Sequence, residues 1–256
     1  MTGFNGRRIS AILAAVFLQG MALPALAEET HYVLSLSWQP AFCDSDAGTA
    51  KTECRSLDDE DWAASRLSLH GLWPNADRNG DGRMDAADDY CLPPESRPRA
   101  VALDKGDWRK LPAVALPSAL QLRLAVIMPG TASSLERHQW IKHGTCSGLS
   151  AQRYFAAAVA LTEAVAETEL GSYISARAGE EVIRSDVLAA LAAEFGKSST
   201  RALQLMCRKV KGAAVLSEIR LRLRADAVEA PLSSRSLDTA RKMKGNCPAR
   251  FQVIGN

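Results

Sequence analysis

What this sequence has little of narrows it before any motif is considered. It carries almost no net charge: 31 Lys and Arg stand against 29 Asp and Glu, for a formal +2. No general attraction to nucleic acid or to an anionic membrane is therefore built in, and any anion must be met locally. Past residue 27, no apolar stretch approaches the roughly 20 residues that cross a bilayer. There is no internal repeat and no linker that would divide the chain, and 47% hydrophobic with 23% charged residues excludes disordered and collagen-like classes. Histidine is scarce, four in 256 residues, so the place of each is informative.

What is present begins with a leader. Arg7-Arg8, an apolar run from Ile9 to Leu18 and then Pro24-Ala25-Leu26-Ala27 have the basic start, short apolar middle and Ala-x-Ala end of a cleaved secretory signal. Residues 1–27 are expected to be removed, leaving residues 28–256 as a single domain with 29 bases against 29 acids. The product is expected in a periplasm or outside the cell, with no membrane attachment. There, the six cysteines are expected as three disulfides.

Apolar and polar residues alternate in His31–Trp38, which predicts a half-buried strand with Ser35 and Ser37 on its polar side. A second strand, Arg66–His70, is expected to stop at Gly71-Leu72-Trp73-Pro74, which puts His70 at a strand end. Residues 44–65 and the Asp- and Gly-rich stretch from Asn75 to about Pro98 read as loops. Helices are expected over Pro117–Met128, over Ser134–His143 with Ser133 or Ser134 as cap, and in the alanine-rich segments 151–170 and 185–195. Leu203–Cys207, Val215–Arg224 and Phe251–Ile254 return to strand patterns. Strands at both ends with helices gathered between them predict an α+β domain built on a central antiparallel sheet flanked by helices.

Charge is uneven along the chain. Residues 44–107 hold 15 acids against 8 bases, and residues 201–256 hold 12 bases against 4 acids. Two readings stand: solvated faces of opposite bias, or basic C-terminal strands bordering an anionic substrate.

Three of the four histidines fall in two short segments, Ser68-Leu69-His70-Gly71-Leu72-Trp73-Pro74 and Glu136-Arg137-His138-Gln139-Trp140-Ile141-Lys142-His143-Gly144-Thr145-Cys146. On a helix, Gln139, Lys142 and His143 are spaced i, i+3, i+4 and share a face. If His70 meets that face across a cleft, the site holds two imidazoles and an ammonium, with no serine or cysteine nucleophile at motif spacing. Two imidazoles suit a reaction in which one proton is removed and another supplied. The lysine suits charge that develops on phosphoryl oxygens. An RNA phosphodiester answers both needs, because its 2′-hydroxyl is a built-in nucleophile, and such chemistry requires no metal.

These two segments resemble the signatures of the ribonuclease T2 family, His-Gly-Leu-Trp-Pro at His70–Pro74 and His-Glu-Trp-x-Lys-His-Gly-Thr-Cys at His138–Cys146, with one departure. Leu36–Cys43 is similar to the start of bacterial periplasmic members. The resemblance implies a metal-independent endoribonuclease of low base specificity that acts on single-stranded RNA and yields 2′,3′-cyclic phosphates. It implies that His143 is the general base, His70 the general acid and Lys142 the group that stabilises the pentacoordinate phosphorus. It further implies that His138 binds phosphate and that Trp73 stacks on a base. Cys91–Cys146 and Cys207–Cys247 resemble the family's bridges, which leaves Cys43–Cys54 as the remaining pair.

The departure is Gln139, where the family usually has Glu. Loss of that carboxylate would let the nearby imidazoles deprotonate at lower pH, so weaker cleavage with a lower pH optimum is expected, Glu136 partly substituting from three residues earlier. A catalytically silent RNA-binding member is the alternative that Gln139 raises. A different class of function is suggested by Asp77-Arg78-Asn79-Gly80-Asp81-Gly82-Arg83-Met84-Asp85-Ala86-Ala87-Asp88, whose oxygens recur at calcium-loop spacing, as a structural Ca²⁺ site or a calcium-binding module. RNA is the expected partner and a monomer the expected state. His31 receives no role.

Overall fold

The computed structural model describes Met1, residues 30–76, Arg78 and residues 88–256. The leader and all of the calcium-type loop except Arg78 and Asp88 lie outside the described residues. The strands are β1 (His31–Ser37), β2 (Ser68–Asn75), β3 (Glu180–Ile183), β4 (Leu203–Val210), β5 (Ala213–Arg224) and β6 (Arg250–Val253). The helices are α1 (Gln39–Cys43), α2 (Thr52–Arg55), α3 (Trp62–Ser65), α4 (Arg97–Asp104), α5 (Ser118–Ile127), α6 (Leu135–Lys142), α7 (Ala151–Ala166), α8 (Glu169–Ser175) and α9 (Arg184–Phe195).

One sheet runs in the order β2-β1-β5-β6-β3, with β4 paired to β5. All pairings are antiparallel except β5 with β6, which meet in parallel at Val215 and Gln252. This α+β architecture matches the sequence expectation in class, and the parallel contact makes the sheet mixed. The β4–β5 hairpin turns on Lys211-Gly212, both with positive φ (49° and 88°), the two-residue turn whose twist matches that of its strands.

Two strands differ from the sequence expectation. β1 is not half-buried, because it lies between β2 and β5 and has both faces covered. Ser35 on its polar side is 0% exposed. β2 does not stop at Gly71 but continues to Asn75, because β1 offers it partners as far as His31. Pro74 is tolerated there since β2 is an edge strand, where a missing N–H need not break a ladder. In the segments read as loops, α2 and α3 form short turns, and β3 is a strand that the sequence pattern did not announce.

The core lies between the sheet and the helices. Leu34, Leu36, Leu72, Ile219 and Leu221 from the sheet pack with Tyr154, Phe155, Val159 and Val165 of α7. α7 begins where the Ser150 side chain accepts the Arg153 amide N–H. It is fixed to β2 by the buried Tyr154 hydroxyl, which donates to the Leu72 carbonyl at 2.6 Å. Helix α5 ends at Ile127, with Met128 between it and the anticipated stop at Pro129, and α9 is capped by Gly196 with φ +82°. α6 starts differently from expectation: Ser134 precedes it with φ 65° and makes no side-chain cap. The three disulfides are Cys43–Cys54, Cys91–Cys146 and Cys207–Cys247.

Candidate active site

Strand β2, helix α6 with the residues just after it, and the segment 88–91 converge on one side of the sheet. His70 stands where β1 and β2 slip register: Gly71 pairs with Ser35 and Leu69 with Leu36, so His70 is an extra residue on β2. Such a bulge re-aims the side chain it carries. His70 is therefore at a bulge inside the strand rather than at a strand end.

Four rings follow one another across the site. His138 and His143 have centroids 6.1 Å apart, His143 and Trp73 5.5 Å, and Trp73 and His70 5.3 Å. His138 also stacks on Trp108 at 4.5 Å, and Lys51 sits 5.2 Å over the same Trp108 ring. Lys142, the last residue of α6, and His143, its cap, present their side chains at the same end of the helix.

Each of these histidines is held at Nδ1 by a carboxylate. His70 meets Glu218 Oε2 at 2.7 Å, His138 meets Asp104 Oδ1 at 2.7 Å, and His143 meets Asp89 Oδ1 at 3.1 Å. Lys142 Nζ lies 4.0 Å from the other Asp89 oxygen. Tyr90, in the left-handed region at φ 57°, gives its backbone N–H to the Lys142 carbonyl and its hydroxyl to Asp104 Oδ2. That strained residue therefore ties the partner of His143 to the partner of His138. The Cys91–Cys146 disulfide anchors the same segment to the turn after α6. None of the three carboxylates belongs to either histidine segment, and sequence reasoning assigned them no role. A weak signal existed for Asp89, two residues before a cysteine whose partner closes the second motif.

Burial and charge set the protonation preferences. For His143, desolvation is the largest influence and favours the neutral ring. Asp89 opposes it, Lys142 and His138 reinforce it, and the outcome lies below the ordinary imidazole value. Burial alone would raise Asp104, but hydrogen bonds from His138 and Tyr90 outweigh it and hold the carboxyl below its usual range. Glu218 behaves likewise: burial raises, contacts with His70 and Arg220 lower, and the result is lowered.

Gln139 is 1% exposed and lies behind Trp73, whose indole N–H donates to Gln139 Oε1 at 2.8 Å. Its Nε2 has no partner among the described residues. Gly71 belongs here because a Cβ at that position would be 2.1 Å from Gln139 Oε1 and 2.4 Å from Trp73 Nε1. Glu136 pairs with Arg137 at 3.5 Å, and burial raises its carboxyl. Of the residues singled out from sequence, His70, Trp73, His138, Gln139, Lys142 and His143 are thus brought together, and Glu136 is engaged by its neighbour. Arg220, from the basic C-terminal region, covers the Trp73 ring at 5.1 Å and pairs with Glu218. Arg222, Arg224 and Arg250 are instead paired with Asp238, Asp226 and Glu181.

A cavity of about 370 Å³ opens beside His70, with Phe42, Lys51, Leu69, Trp108, Leu135 and Glu218 among its walls. Asp88, the last position of the calcium-type pattern, is buried and accepts the Arg78 amide N–H at 2.7 Å. No group of three or more metal-ligating side chains occurs among the described residues, and no described helix is long and apolar enough to cross a membrane.

The sequence model of the ribonuclease T2 family matches residues 29–231. Ribonuclease I of Escherichia coli (strain K12) is 32% identical over 261 residues, covering 96% of each chain. A probable ribonuclease of Haemophilus influenzae is 34% identical over 140 residues, 52% of this chain and 42% of that protein. Among solved structures, ribonuclease MC1 from bitter gourd seeds superposes with a TM-score of 0.55 at 19% identity, covering 87% of this chain and 98% of that one. The self-incompatibility-associated SF11-RNase of Nicotiana alata gives 0.55 at 17% identity, covering 89% and 98%.

Proposed function

The chain belongs to the ribonuclease T2 family and is an endoribonuclease, and on that premise we propose that His143 and His70 divide its proton transfers as base and acid. His143, kept neutral by burial, takes the proton of the RNA 2′-hydroxyl. The 2′-oxygen attacks phosphorus, and the P–O5′ bond breaks as His70 delivers a proton to the departing 5′-oxygen. The product is a 2′,3′-cyclic phosphate, which water opens slowly with the two roles exchanged. Lys142 faces the non-bridging oxygens, where negative charge builds in the pentacoordinate state, and His138, stacked on Trp108, binds phosphate. The nucleophile comes from the substrate, so the step asks the protein for proton transfer and charge stabilisation.

The observation that carries this reading is that His70 and His143, from two elements far apart in sequence, both pack on Trp73, 5.3 and 5.5 Å from its ring. Trp73 has its indole N–H tied to Gln139 and one face over Arg220, and it sets the spacing between the two imidazoles while offering a surface to a base. The cavity beside His70 takes the nucleotide on the leaving-group side. The domain is residues 28–256, and export through the leader at 1–27 accounts for the three disulfides.

Digestion of single-stranded homopolymer RNA in EDTA tests the proposal. Cleavage with cyclic phosphate ends, abolished in His143→Ala and His70→Ala, is the expected result. Full activity of either variant would overturn the assignment.

A further inference from the structure

The three imidazoles are all backed by carboxylates, but Glu218 differs from the other two. Asp89 in the segment 88–91 and Asp104 at the end of α4 reach the histidines of α6 and its cap, whereas Glu218 is on β5, with β1 between it and the strand that carries His70. Register explains how it arrives. Glu218 pairs with Ser37, and Ser37 pairs with Ser68, so the Glu218 side chain rises from the sheet beside the bulge that holds His70. It is 9% exposed, accepts from His70 Nδ1 with one oxygen at 2.7 Å and holds the Arg220 guanidinium with the other. Arg220, two residues along the same strand face, also lies over Trp73.

We infer that Glu218, locked by Arg220, is the positioning residue of the leaving-group half-reaction: it holds His70 with Nδ1–H toward the sheet, so that Nε2 carries the proton to the 5′-oxygen. This inference rests on the reading of His70 as the acid. A ring free to turn about its bonds presents either nitrogen, and only one orientation keeps a proton directed at the departing oxygen. An anion at Nδ1 removes the other tautomer, because it accepts a hydrogen bond and has none to give. Arg220 occupies the second carboxylate oxygen and so fixes the plane of the carboxyl. His143 has its own anchor in Asp89, so the two proton transfers are braced by carboxylates from different parts of the chain, and one brace is removable without the other.

The experiment compares two esters of a ribonucleoside 3′-phosphate. In a dinucleoside monophosphate the departing alkoxide needs its proton; in a p-nitrophenyl ester the departing phenolate does not. Glu218→Gln is expected to lose on the order of tenfold to a hundredfold in kcat on the dinucleotide, up to the lower edge of what general acid catalysis supplies because the acid is misdirected rather than removed, and markedly less on the aryl ester. His70→Ala is expected to show the same selectivity more strongly, and His143→Ala to lose activity on both esters. Equal losses of Glu218→Gln on the two substrates, or no loss on either, would overturn the inference. If His70→Ala shows no selectivity between the esters, the assignment of His70 itself falls, and that outcome is separate from the failure of Glu218 alone. A measurement on the unmodified protein guards against a variant that does not fold. Nitrogen-15 NMR of the neutral His70 ring is expected to show the proton on Nδ1, and a ring protonated on Nε2 would overturn the inference.

Discussion

Gln139 is the residue at which this chain departs from its family signature, and its surroundings change what the departure means. Sequence reasoning treated it as a lost anion beside the imidazoles. In the structure, the anions that touch those rings are Glu218, Asp104 and Asp89, while Gln139 lies buried behind Trp73 and spends its carbonyl on the indole N–H. The negative charge beside the imidazoles is therefore supplied from outside the motifs. A carboxylate at 139 would still accept the indole bond, and would add a buried negative charge next to a ring that both His70 and His143 touch. Gln139→Glu is accordingly expected to move the pH–rate maximum upward, since a nearby anion favours imidazolium. A pH–rate profile identical to that of the natural chain would contradict it. The site residues named in the two motifs were legible because their types and spacing state a chemistry. Their three carboxylate partners were not, since an isolated Asp or Glu in a loop or strand looks the same whether it faces water or an imidazole.

Among the elements, β2 shows most clearly what local pattern leaves out. Glycine and proline at Gly71 and Pro74 argue for a stop, and both are accommodated: Pro74 by the free edge of the sheet, Gly71 by the space that Gln139 and Trp73 require. The bulge at His70 is a property of two strands together, which explains why the sequence of β2 alone places that histidine at a strand end. Helices α5, α7 and α9 were legible because their segments are rich in alanine and other good helix formers, with proline after α5 and glycine after α9 as stops. The link between α7 and the site strand is the Tyr154 hydroxyl on the Leu72 carbonyl. Tyr154→Phe leaves that buried carbonyl without its side-chain donor, and a loss of about 1–3 kcal/mol in unfolding free energy is expected. Chemical denaturation measures this, and a change below about 0.5 kcal/mol, the range of ordinary surface substitutions, would show that the bond carries no such weight.

For the whole molecule, the same contacts that prepare the site set its response to acid. Glu218 and Asp104 are held below their ordinary values when folded, so their stabilisation is present above the unfolded carboxylate range and is lost as pH falls through the folded values. His143 is also lowered, so the unfolded chain takes up that proton first, and stability declines as pH drops below about 6.5 toward the folded value. All three act in one direction. The melting temperature is expected to fall in two stages as pH is lowered, through the imidazole range and then the carboxylate range. A flat profile between pH 7 and 5 would contradict the first stage. Sheet order has a consequence of another kind. His70 and Glu218 are separated by 148 positions and become neighbours only through β1, which must pair with β5 near the end of the chain. A polypeptide still emerging from its ribosome, with β5 unsynthesised, holds both motifs yet lacks the strand that orients one of them.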